Sequence, residues 1–231
     1  MAKTSGTQCN YLLALGVPSE GRTPIIRNGY FEYSLQEMPK SQGHGQALVL
    51  EQHDADAIVD ACSPALRAVF SFARCTAARI SEVLNLRFEN VTSTYIVLPK
   101  RICKGKKRTR EVPINARLDE EIRAWKLEWE RLQGRPPEGA DHVFPGRVGD
   151  PKEKHLTRGA ADKALRKACA ELGIQGASTH SWRRTSLSNA NDAGISLKVL
   201  SSISGHSSLD MLSRYLQTSE RQKQAACDAF G

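Results

Sequence analysis

The chain carries a set of side chains suited to phosphoryl transfer, spread from its first half to its C-terminal region. Arg79 stands in the run "CTAARISEVLNLRF", and His180 and Arg183 stand in "THSWRRT". His206 and Tyr215 follow within "GHSSLDMLSRYLQ". Two guanidinium groups can clamp the non-bridging oxygens of a phosphodiester, and a tyrosine hydroxyl can attack phosphorus to form a covalent ester. The residue types therefore predict cleavage of a phosphodiester through a protein-bound intermediate.

The other requirements of such a reaction are proton transfer and charge stabilisation. A lysine at the tip of a flexible hairpin can give a proton to the leaving sugar oxygen, and histidines can hold the phosphate and shuttle protons. Because cationic side chains can stabilise the developing charge, we expect no metal ion and no other cofactor. The six cysteines form no Cys-x-x-Cys pair and no short spacing to histidine, so a zinc site is not expected.

Each of these residues also has an ordinary structural interpretation when it is taken alone. A tyrosine beside Leu212 and Leu216 is typical of half-buried packing, and a histidine after a helix-closing glycine is typical of a cap or a surface residue. The chemical interpretation depends on the whole set occurring together. It therefore needs the elements between the residues to bring them to one place.

The charge balance points to a polyanionic partner. The chain has 33 Lys and Arg against 25 Asp and Glu, a net charge of +8, and a pI of about 9.3. Nucleic acid is the first candidate for such a partner, while a solvated basic surface is the ordinary alternative. No apolar run approaches the roughly 20 residues needed to span a membrane, so we expect a cytoplasmic, nucleoid-associated protein.

The hydrophobic pattern divides the chain at about residue 45. Residues 1–45 are rich in Gly, Pro, Ser and Gln and show no sustained period, which is typical of an arm or linker. Residues 46–231 alternate between amphipathic helical patterns and one strand pair, "TYIVL" and "EVPI", around a basic turn at Gly105. The predicted fold is mainly α with a small antiparallel β-sheet, in the α+β class. Helices are predicted within residues 47–62, 65–88, 118–133, 157–172, 181–193, 196–204, 208–217 and 219–230.

Two stretches resemble the conserved boxes of the tyrosine recombinases of the phage integrase and Xer type. "CTAARISEVLNLRFENV" is similar to the first box, T-G-x-R-I-S-E-x-x-x-L. "STHSWRRTSLSNANDAGISLKVLSSISGHSSLDMLSRYLQ" is similar to the second, which runs from H-x-L-R-H-T through A-G and L-G-H to R-Y. The resemblance covers about Gln46 to Phe230. It implies the tyrosine recombinase catalytic domain fold. It also implies a site-specific DNA recombinase that cleaves and rejoins strands through a covalent 3′-phosphotyrosine.

The resemblance assigns a role to each matching position. Tyr215 is implied as the nucleophile, and Arg79 and Arg183 as the groups that grip the scissile phosphate. His180 is implied to assist proton transfer to or from the tyrosine. His206 is implied to hydrogen-bond the phosphate from the G-H-S-S turn.

The family's general acid is a lysine in the hairpin. Lys104 is the preferred match because it precedes a glycine and aligns best when counted back from the Val-Pro pair. The hairpin is about one residue longer than usual, so Lys106 and Lys107 remain alternatives. Glu82 lies three residues after Arg79 and is expected to orient that arginine or to satisfy a helix end.

Four departures from the family pattern stand out. Ala77 and Ala78 replace the G-x of the first box, Trp182 stands where leucine is usual, and Arg184 replaces a second histidine. Residues 1–45 also lack the pattern of the full N-terminal core-binding domain that closes the family's clamp around DNA. We therefore expect a catalytic domain almost alone. Either its grip on DNA is weak, or the arm wraps the duplex, or a partner, such as an accessory DNA-bending protein, completes the clamp.

The predicted partner is double-stranded DNA, bound by a homo-oligomer that recombination would require to be a tetramer. Basic residues crowd the hairpin, and Arg110 is among them. The side chains expected to contact DNA are Lys100, Arg101, Lys106, Lys107, Arg108 and Arg184. A basic helix containing Arg158, Lys163, Arg166 and Lys167 is a further candidate.

Three questions stay open at the level of sequence. The tail has an apolar face (Ala225, Ala226, Ala229, Phe230), which fits packing either on its own domain or on a neighbouring protomer. A strand-swivelling enzyme of the type IB topoisomerase kind is an alternative activity. A non-catalytic DNA-binding accessory protein is another, although retention of all the catalytic residue types argues against it.

Overall fold

Helices make up most of the larger of two structural units. The computed structural model describes residues 24–27, 30–33, 46–103, 105, 108–213, 216 and 220–230, and describes side chains for residues 46–103, 105, 108–213, 216 and 223–230. The units comprise residues 1–38 and 39–231. Within the first, strands β1 (Pro24–Arg27) and β2 (Tyr30–Tyr33) pair antiparallel, with Pro24 opposite Tyr33.

The described part of the second unit contains nine α-helices, one short 3₁₀ helix (Phe88–Asn90) and one antiparallel strand pair. This arrangement confirms the predicted α+β class. No described helix is both long enough and apolar enough to cross a membrane. The elements are α1 (Gln52–Asp60), α2 (Pro64–Thr76), α3 (Ile80–Leu84), β3 (Tyr95–Leu98), β4 (Arg110–Pro113), α4 (Ala116–Gln133), α5 (Arg158–Glu171), α6 (Thr179–Asp192), α7 (Leu197–Ser204), α8 (Leu209–Ser213) and α9 (Glu220–Ala229).

Helix α2 forms the centre of the core, where it packs against α4 and α6. Its buried residues include Val69, Phe70 and Ala73 of the predicted apolar stripe, and also Phe72. Phe70 stacks on Trp182 of α6 with ring centroids 5.2 Å apart, and Phe72 meets Phe144 edge to face. Trp182 is completely buried, so the tryptophan fills an apolar pocket of the core. This contact holds α6 at a fixed position against α2.

A left-handed residue separates α2 from α3. Ala77 has φ +50° and ψ +23°, and it is the one described non-glycine residue with positive φ. A residue in this conformation ends a helix, so the continuous helix expected over residues 65–88 is broken. Arg79 becomes the N-cap of the new helix α3, and α3 itself ends at Leu84.

The segment before α1 is not helical, although its pattern predicts a helix from residue 47. The backbone N–H of Leu50 donates to Thr185 Oγ1 at 2.8 Å, and the carbonyl of Ala47 accepts from Arg184 Nη1 at 2.7 Å. Both partners lie on α6. This non-helical conformation therefore follows from tertiary hydrogen bonds, which satisfy the backbone groups that a helix would otherwise pair.

The predicted hairpin is present as β3 and β4, with Leu98 opposite Arg110 and Ile96 opposite Val112. Residues 99–109 connect the strands. Ile96, Leu98 and Val112 point into the core, which fixes the register because a one-residue slip would expose them. The basic connection is thus attached to the core at both of its ends.

Helix α4 begins at the cap Asn115, whose side chain accepts a hydrogen bond from Leu118 N–H at 2.9 Å. Trp125 and Trp129 are buried, as their spacing predicts. Their indole N–H groups donate to the carbonyls of Val143 and His142. These bonds attach the irregular segment 134–157 to the core.

Candidate active site

Arg183 connects three separate segments of the chain. It lies in the second turn of α6 and is only 1% exposed. Its Nη1 donates to the carbonyl of Ala77 at 2.7 Å, and its Nη2 donates to the carbonyl of Ser204 at 2.8 Å. Nη2 also lies 3.1 Å from Nε2 of His206. The guanidinium therefore sits where the end of α2 meets the end of α7.

His206 follows directly after the turn that closes α7. Gly205 has φ +71° and serves as the C-cap of the helix. The ring of His206 is buried, and its Nδ1 lies 2.7 Å from Ser204 Oγ. A guanidinium can only donate, so we infer that Nε2 accepts from Arg183 and that Nδ1 carries the proton donated to Ser204.

The environment of His206 disfavours its protonated form. Burial is the largest cause, followed by the positive charges of Arg183, Arg79 and Arg110, and together they lower its pKa from 6.5 to about 3. The nearby Glu82 carboxylate acts in the opposite direction but is outweighed. The imidazole is therefore neutral near pH 7.

Glu82 holds Arg79 in two ways. One carboxylate oxygen, Oε2, accepts the backbone N–H of Arg79 at 3.0 Å, which satisfies an otherwise unpaired donor at the start of α3. The other, Oε1, accepts from Arg79 Nη1 at 3.0 Å. These contacts agree with the expectation that Glu82 orients Arg79.

Arg110 is a further member of this site, which the sequence does not predict. The sequence places it among the exposed cations of the basic hairpin, but its side chain is 3% exposed. Its Nη2 donates to Glu82 Oε2 at 2.5 Å, and its Nη1 donates to the carbonyl of Ile203 at 2.7 Å. Arg110 lies two residues before Val112, which places both side chains on the same face of β4. Because Val112 points into the core, this spacing indicates that Arg110 points inward as well.

The cluster has more positive than negative charge. Three arginines (Arg79, Arg110 and Arg183) surround the single carboxylate of Glu82. Burial raises the pKa of Glu82, but Arg110, the backbone hydrogen bond of Arg79 and the charges of Arg79 and Arg183 outweigh this, and the net pKa is lowered. Glu82 is therefore ionised near pH 7, and among these four side chains the positive charges outnumber the negative ones by two. Such a cluster suits a phosphodiester, whose negative charge grows during substitution at phosphorus.

His180 is the second residue of α6, one turn before Arg183 on the same helix face. The N-cap Ser178 orients this turn by accepting the backbone N–H of His180 at 3.3 Å. The side chain of His180 is half-buried. The other expected catalytic residues lie outside the described residues: Lys104, Lys106, Lys107 and Tyr215.

The expected DNA contacts differ in their exposure. Lys100, Arg101 and Arg108 are exposed on the connection between β3 and β4. Arg101 pairs with Glu89 at 2.9 Å, and Arg108 donates to the carbonyl of Ser201 at 3.1 Å. Lys106 and Lys107 lie outside the described residues. On helix α5 the basic side chains are also exposed: Arg158, Lys163, Arg166 and Lys167.

Arg184 does not fit the expectation of a surface DNA contact. It is 3% exposed, and its Nη1 is held 2.7 Å from the carbonyl of Ala47. A guanidinium used in this way anchors the segment before α1. We therefore assign Arg184 to packing and leave it out of the proposed DNA surface.

No group of three or more His, Cys, Asp or Glu is placed to hold a metal ion in the part of the chain that the structure describes.

The described side chains of α9 are exposed, and Phe230 is 84% exposed. The apolar face of the tail is therefore not covered by the described part of its own domain.

A family model, that of the phage integrase family, matches residues 49–222, which is well over half of the chain. No curated protein matches the chain in sequence.

Solved structures show the same fold at low sequence identity. XerA recombinase has a TM-score of 0.63 and 17% identity, and the match covers 79% of this chain and 65% of XerA. For XerH recombinase on a palindromic difH substrate, in a post-cleavage complex, the TM-score is 0.63 and the identity 17%, over 84% of this chain and 56% of XerH. The Tn1549 transposon integrase with transposon right end DNA gives a TM-score of 0.63 and 13% identity, over 80% of this chain and 66% of the integrase. The matched region therefore spans between about half and two thirds of the length of these chains.

Proposed function

Because the chain belongs to the phage integrase family of tyrosine recombinases, we propose that it is a site-specific DNA recombinase acting through a 3′-phosphotyrosine. The observation that carries this proposal is the buried cluster in which Arg183, His206 and the Arg79–Glu82 pair come together. These residues come from three separate stretches of sequence. Their convergence, with an excess of positive charge, is what a scissile phosphate requires.

The proposed cleavage is a substitution at phosphorus. The phenolic oxygen of Tyr215 bonds to the phosphorus, and the bond from phosphorus to the 5′ oxygen of the next nucleotide breaks. The tyrosine gives up its proton, with His180 assisting the transfer. The leaving 5′ oxygen takes a proton from the hairpin lysine, for which Lys104 is the first candidate. In the reverse direction, a 5′ hydroxyl of another strand attacks the ester and releases the tyrosine, so no external energy source is needed.

Arg183 contributes through preorganisation. Its hydrogen bonds to the carbonyls of Ala77 and Ser204 hold the guanidinium in place before substrate arrives, so little reorganisation accompanies the reaction. Arg79 is held in a similar way by Glu82. Neutral His206 accepts a hydrogen bond from Arg183 and so helps to hold that guanidinium, rather than acting as a cation.

The exposed cations provide the proposed DNA surface. Lys100, Arg101 and Arg108 on the hairpin, together with the exposed basic residues of α5, would contact backbone phosphates. Strand exchange between two duplexes would require four protomers, and the exposed apolar face of α9 offers a surface for contact between them. An accessory protein that bends DNA or completes the clamp remains part of the proposal, as does action in the cytoplasm of a bacterium or a phage-infected cell.

Trapping of the covalent intermediate tests the proposed function. The protein is incubated with a library of nicked duplexes from the neighbourhood of its gene, so that a short fragment diffuses away after cleavage and prevents religation. We expect a protein–DNA band on a denaturing gel that disappears in Tyr215→Phe. Tyr95→Phe is the matched control, because Tyr95 is an exposed tyrosine on β3.

The trapped DNA identifies the target site by sequencing. A covalent band that persists in Tyr215→Phe would contradict the proposed nucleophile. DNA that shifts in a native gel without any covalent band would favour the non-catalytic accessory role. Relaxation of supercoiled DNA without strand exchange would favour the topoisomerase-like alternative.

A further inference from the structure

We propose that Arg110 is a positioning residue that joins the basic hairpin to both halves of the phosphate site. This inference rests on the proposed function, because the site it positions is the one that would bind the scissile phosphate. Arg110 is the first residue of β4, immediately after the connection that carries the candidate general acids. None of the roles implied by the family resemblance falls on it.

The first contact of Arg110 is with the residue that orients Arg79. Oε2 of Glu82 accepts from Arg110 Nη2 at 2.5 Å and from the backbone N–H of Arg79 at 3.0 Å. One carboxylate oxygen thus serves both arginines. Without Arg110, Glu82 would lose its largest stabilising charge in a buried place and would be expected to rearrange.

The second contact is with the end of α7, where His206 begins. Nη1 of Arg110 donates to the carbonyl of Ile203, in the last turn of the helix. Arg108, two residues earlier on the chain, donates to the carbonyl of Ser201. The C-terminal end of a helix carries partial negative charge, so two arginines at this end are favourable.

The stem of Arg110 lies against the turn that presents His206. A Cβ placed on Gly205 would stand 2.7 Å from Cδ and 2.8 Å from Nε of Arg110. Only glycine at position 205 leaves room for this approach. Arg110 therefore touches the Arg79 side of the site through Glu82 and the His206 side through Ile203 and Gly205.

The position of the Arg110 side chain thus couples three parts of the site. A shift of Arg110 would move the carboxylate that holds Arg79, the turn that holds His206, and the end of the hairpin that carries the general acid. Nη1 of Arg110 is engaged by Ile203 and Nη2 by Glu82, so we infer that it acts through these neighbours and not by contact with DNA. Its loss should therefore slow cleavage of bound DNA without weakening DNA binding.

The experiment measures single-turnover formation of the covalent complex on a saturating nicked duplex, alongside DNA affinity as a function of salt. We expect Arg110→Met to slow cleavage by about 100-fold, the scale of loss from a small misplacement of catalytic groups. We expect its affinity to stay within about twofold, with an unchanged salt slope, because no phosphate contact is lost. Arg110→Lys should recover part of the rate, since an ammonium can reach Glu82 or Ile203 but not both.

Two further variants separate positioning from general damage. Arg123→Met removes an exposed arginine paired with Asp119 on α4 and should leave cleavage unchanged. In a double-mutant cycle, Glu82→Gln combined with Arg110→Met should slow cleavage much less than the product of the two single effects, because both changes break the same link. If circular dichroism shows that Arg110→Met does not fold, the same measurements of cleavage, DNA affinity and coupling to Glu82→Gln are made with Arg110→Lys.

The outcomes are distinct. No covalent complex with the wild-type protein would overturn the proposed function, and this inference with it. Wild-type cleavage rates in folded Arg110→Met would overturn the inference alone. So would a lower salt slope with unchanged cleavage of bound DNA, which would make Arg110 a phosphate contact. Independent effects of Glu82→Gln and Arg110→Met would overturn the route through Glu82.

Discussion

The carbonyl oxygen of Ala77 accepts a 2.7 Å hydrogen bond from Nη1 of Arg183, across 106 positions of sequence. The left-handed conformation of Ala77 turns the chain at this point, between the end of α2 and the N-cap of α3. The same turn therefore holds one arginine through its carbonyl and places the other, Arg79, two residues later. In the recombinase box that the sequence resembles, glycine stands at this position.

Replacement of two neighbouring alanines by glycine should reveal this conformation. Ala77→Gly and Ala78→Gly each remove a buried methyl group and add the same freedom to the unfolded chain. Only Ala77 has positive φ, so only there does glycine relieve backbone strain, worth about 1 kcal/mol. We expect urea denaturation to show Ala77→Gly as the more stable variant by roughly that amount. Equal stabilities would contradict a strained turn at Ala77.

Replacement of two helix-closing glycines by alanine should lower the free energy of unfolding by different amounts. Gly194 and Gly205 have φ values of +82° and +71°, but a Cβ at Gly194 meets nothing within 4 Å. Gly194→Ala should therefore lower the free energy of unfolding only by the strain of a left-handed alanine, about 1 kcal/mol. Gly205→Ala adds a collision with Arg110, so we expect a further loss of about 1–3 kcal/mol and cleavage slowed by at least about tenfold.

The comparison is made by denaturant unfolding and by the single-turnover cleavage assay. Gly194→Ala is the control for the positive φ value, because it reproduces that feature without the collision. If both variants lost the same stability and cleaved at the same rate, the close approach of Arg110 to the turn would be contradicted.

The stability of the protein should fall as pH is lowered, partly because of His206. The folded-state pKa is about 3 and the ordinary value is 6.5, so between these values the unfolded chain takes up a proton that the folded protein does not. The contribution is complete above pH 6.5 and is lost as pH falls toward 3. Its slope should approach 1.4 kcal/mol per pH unit, roughly one proton's worth.

Urea unfolding between about pH 5 and pH 7.5 checks this slope. His206→Asn should flatten the dependence, whereas His53→Gln, at a side chain that is 81% exposed, should leave it unchanged. His142, whose pKa is also lowered by burial, contributes equally to all three proteins and cancels from the comparison. A slope in His206→Asn equal to that of the wild type would show that His206 is protonated in the folded state.

The conformation of the segment before α1 should depend on Thr185. Its buried Oγ1 accepts the backbone N–H of Leu50, so Thr185→Val leaves that donor without its partner in a buried place. We expect a loss of about 1–3 kcal/mol in the free energy of unfolding. Thr94→Val, at an exposed threonine, serves as the control and should change stability by less than about 0.5 kcal/mol. An equally small effect at Thr185 would contradict the anchoring of the segment by α6.

Local patterns predicted most of the helices and the hairpin. Val69, Phe70 and Ala73 of the predicted apolar stripe of α2 are buried, as are Trp125 and Trp129 of α4. The predictions that fail concern segments whose backbone conformation depends on tertiary contacts. The segment 47–51 follows hydrogen bonds to α6 instead of its helical pattern, and the helix expected to continue from α2 breaks at Ala77.

The sequence by itself determined the family, the α+β class and the chemical types of the expected site, because each depends on residue identity and short-range spacing. Only the tertiary structure decided which basic residues serve the site and which serve the core. Arg110 and Arg184 read as surface cations in the sequence, but both are buried against partners remote in sequence, namely Glu82 and the carbonyl of Ala47. The physical reason is that a charged residue enters a core only where partners from other segments satisfy it, and one-dimensional spacing does not specify those partners.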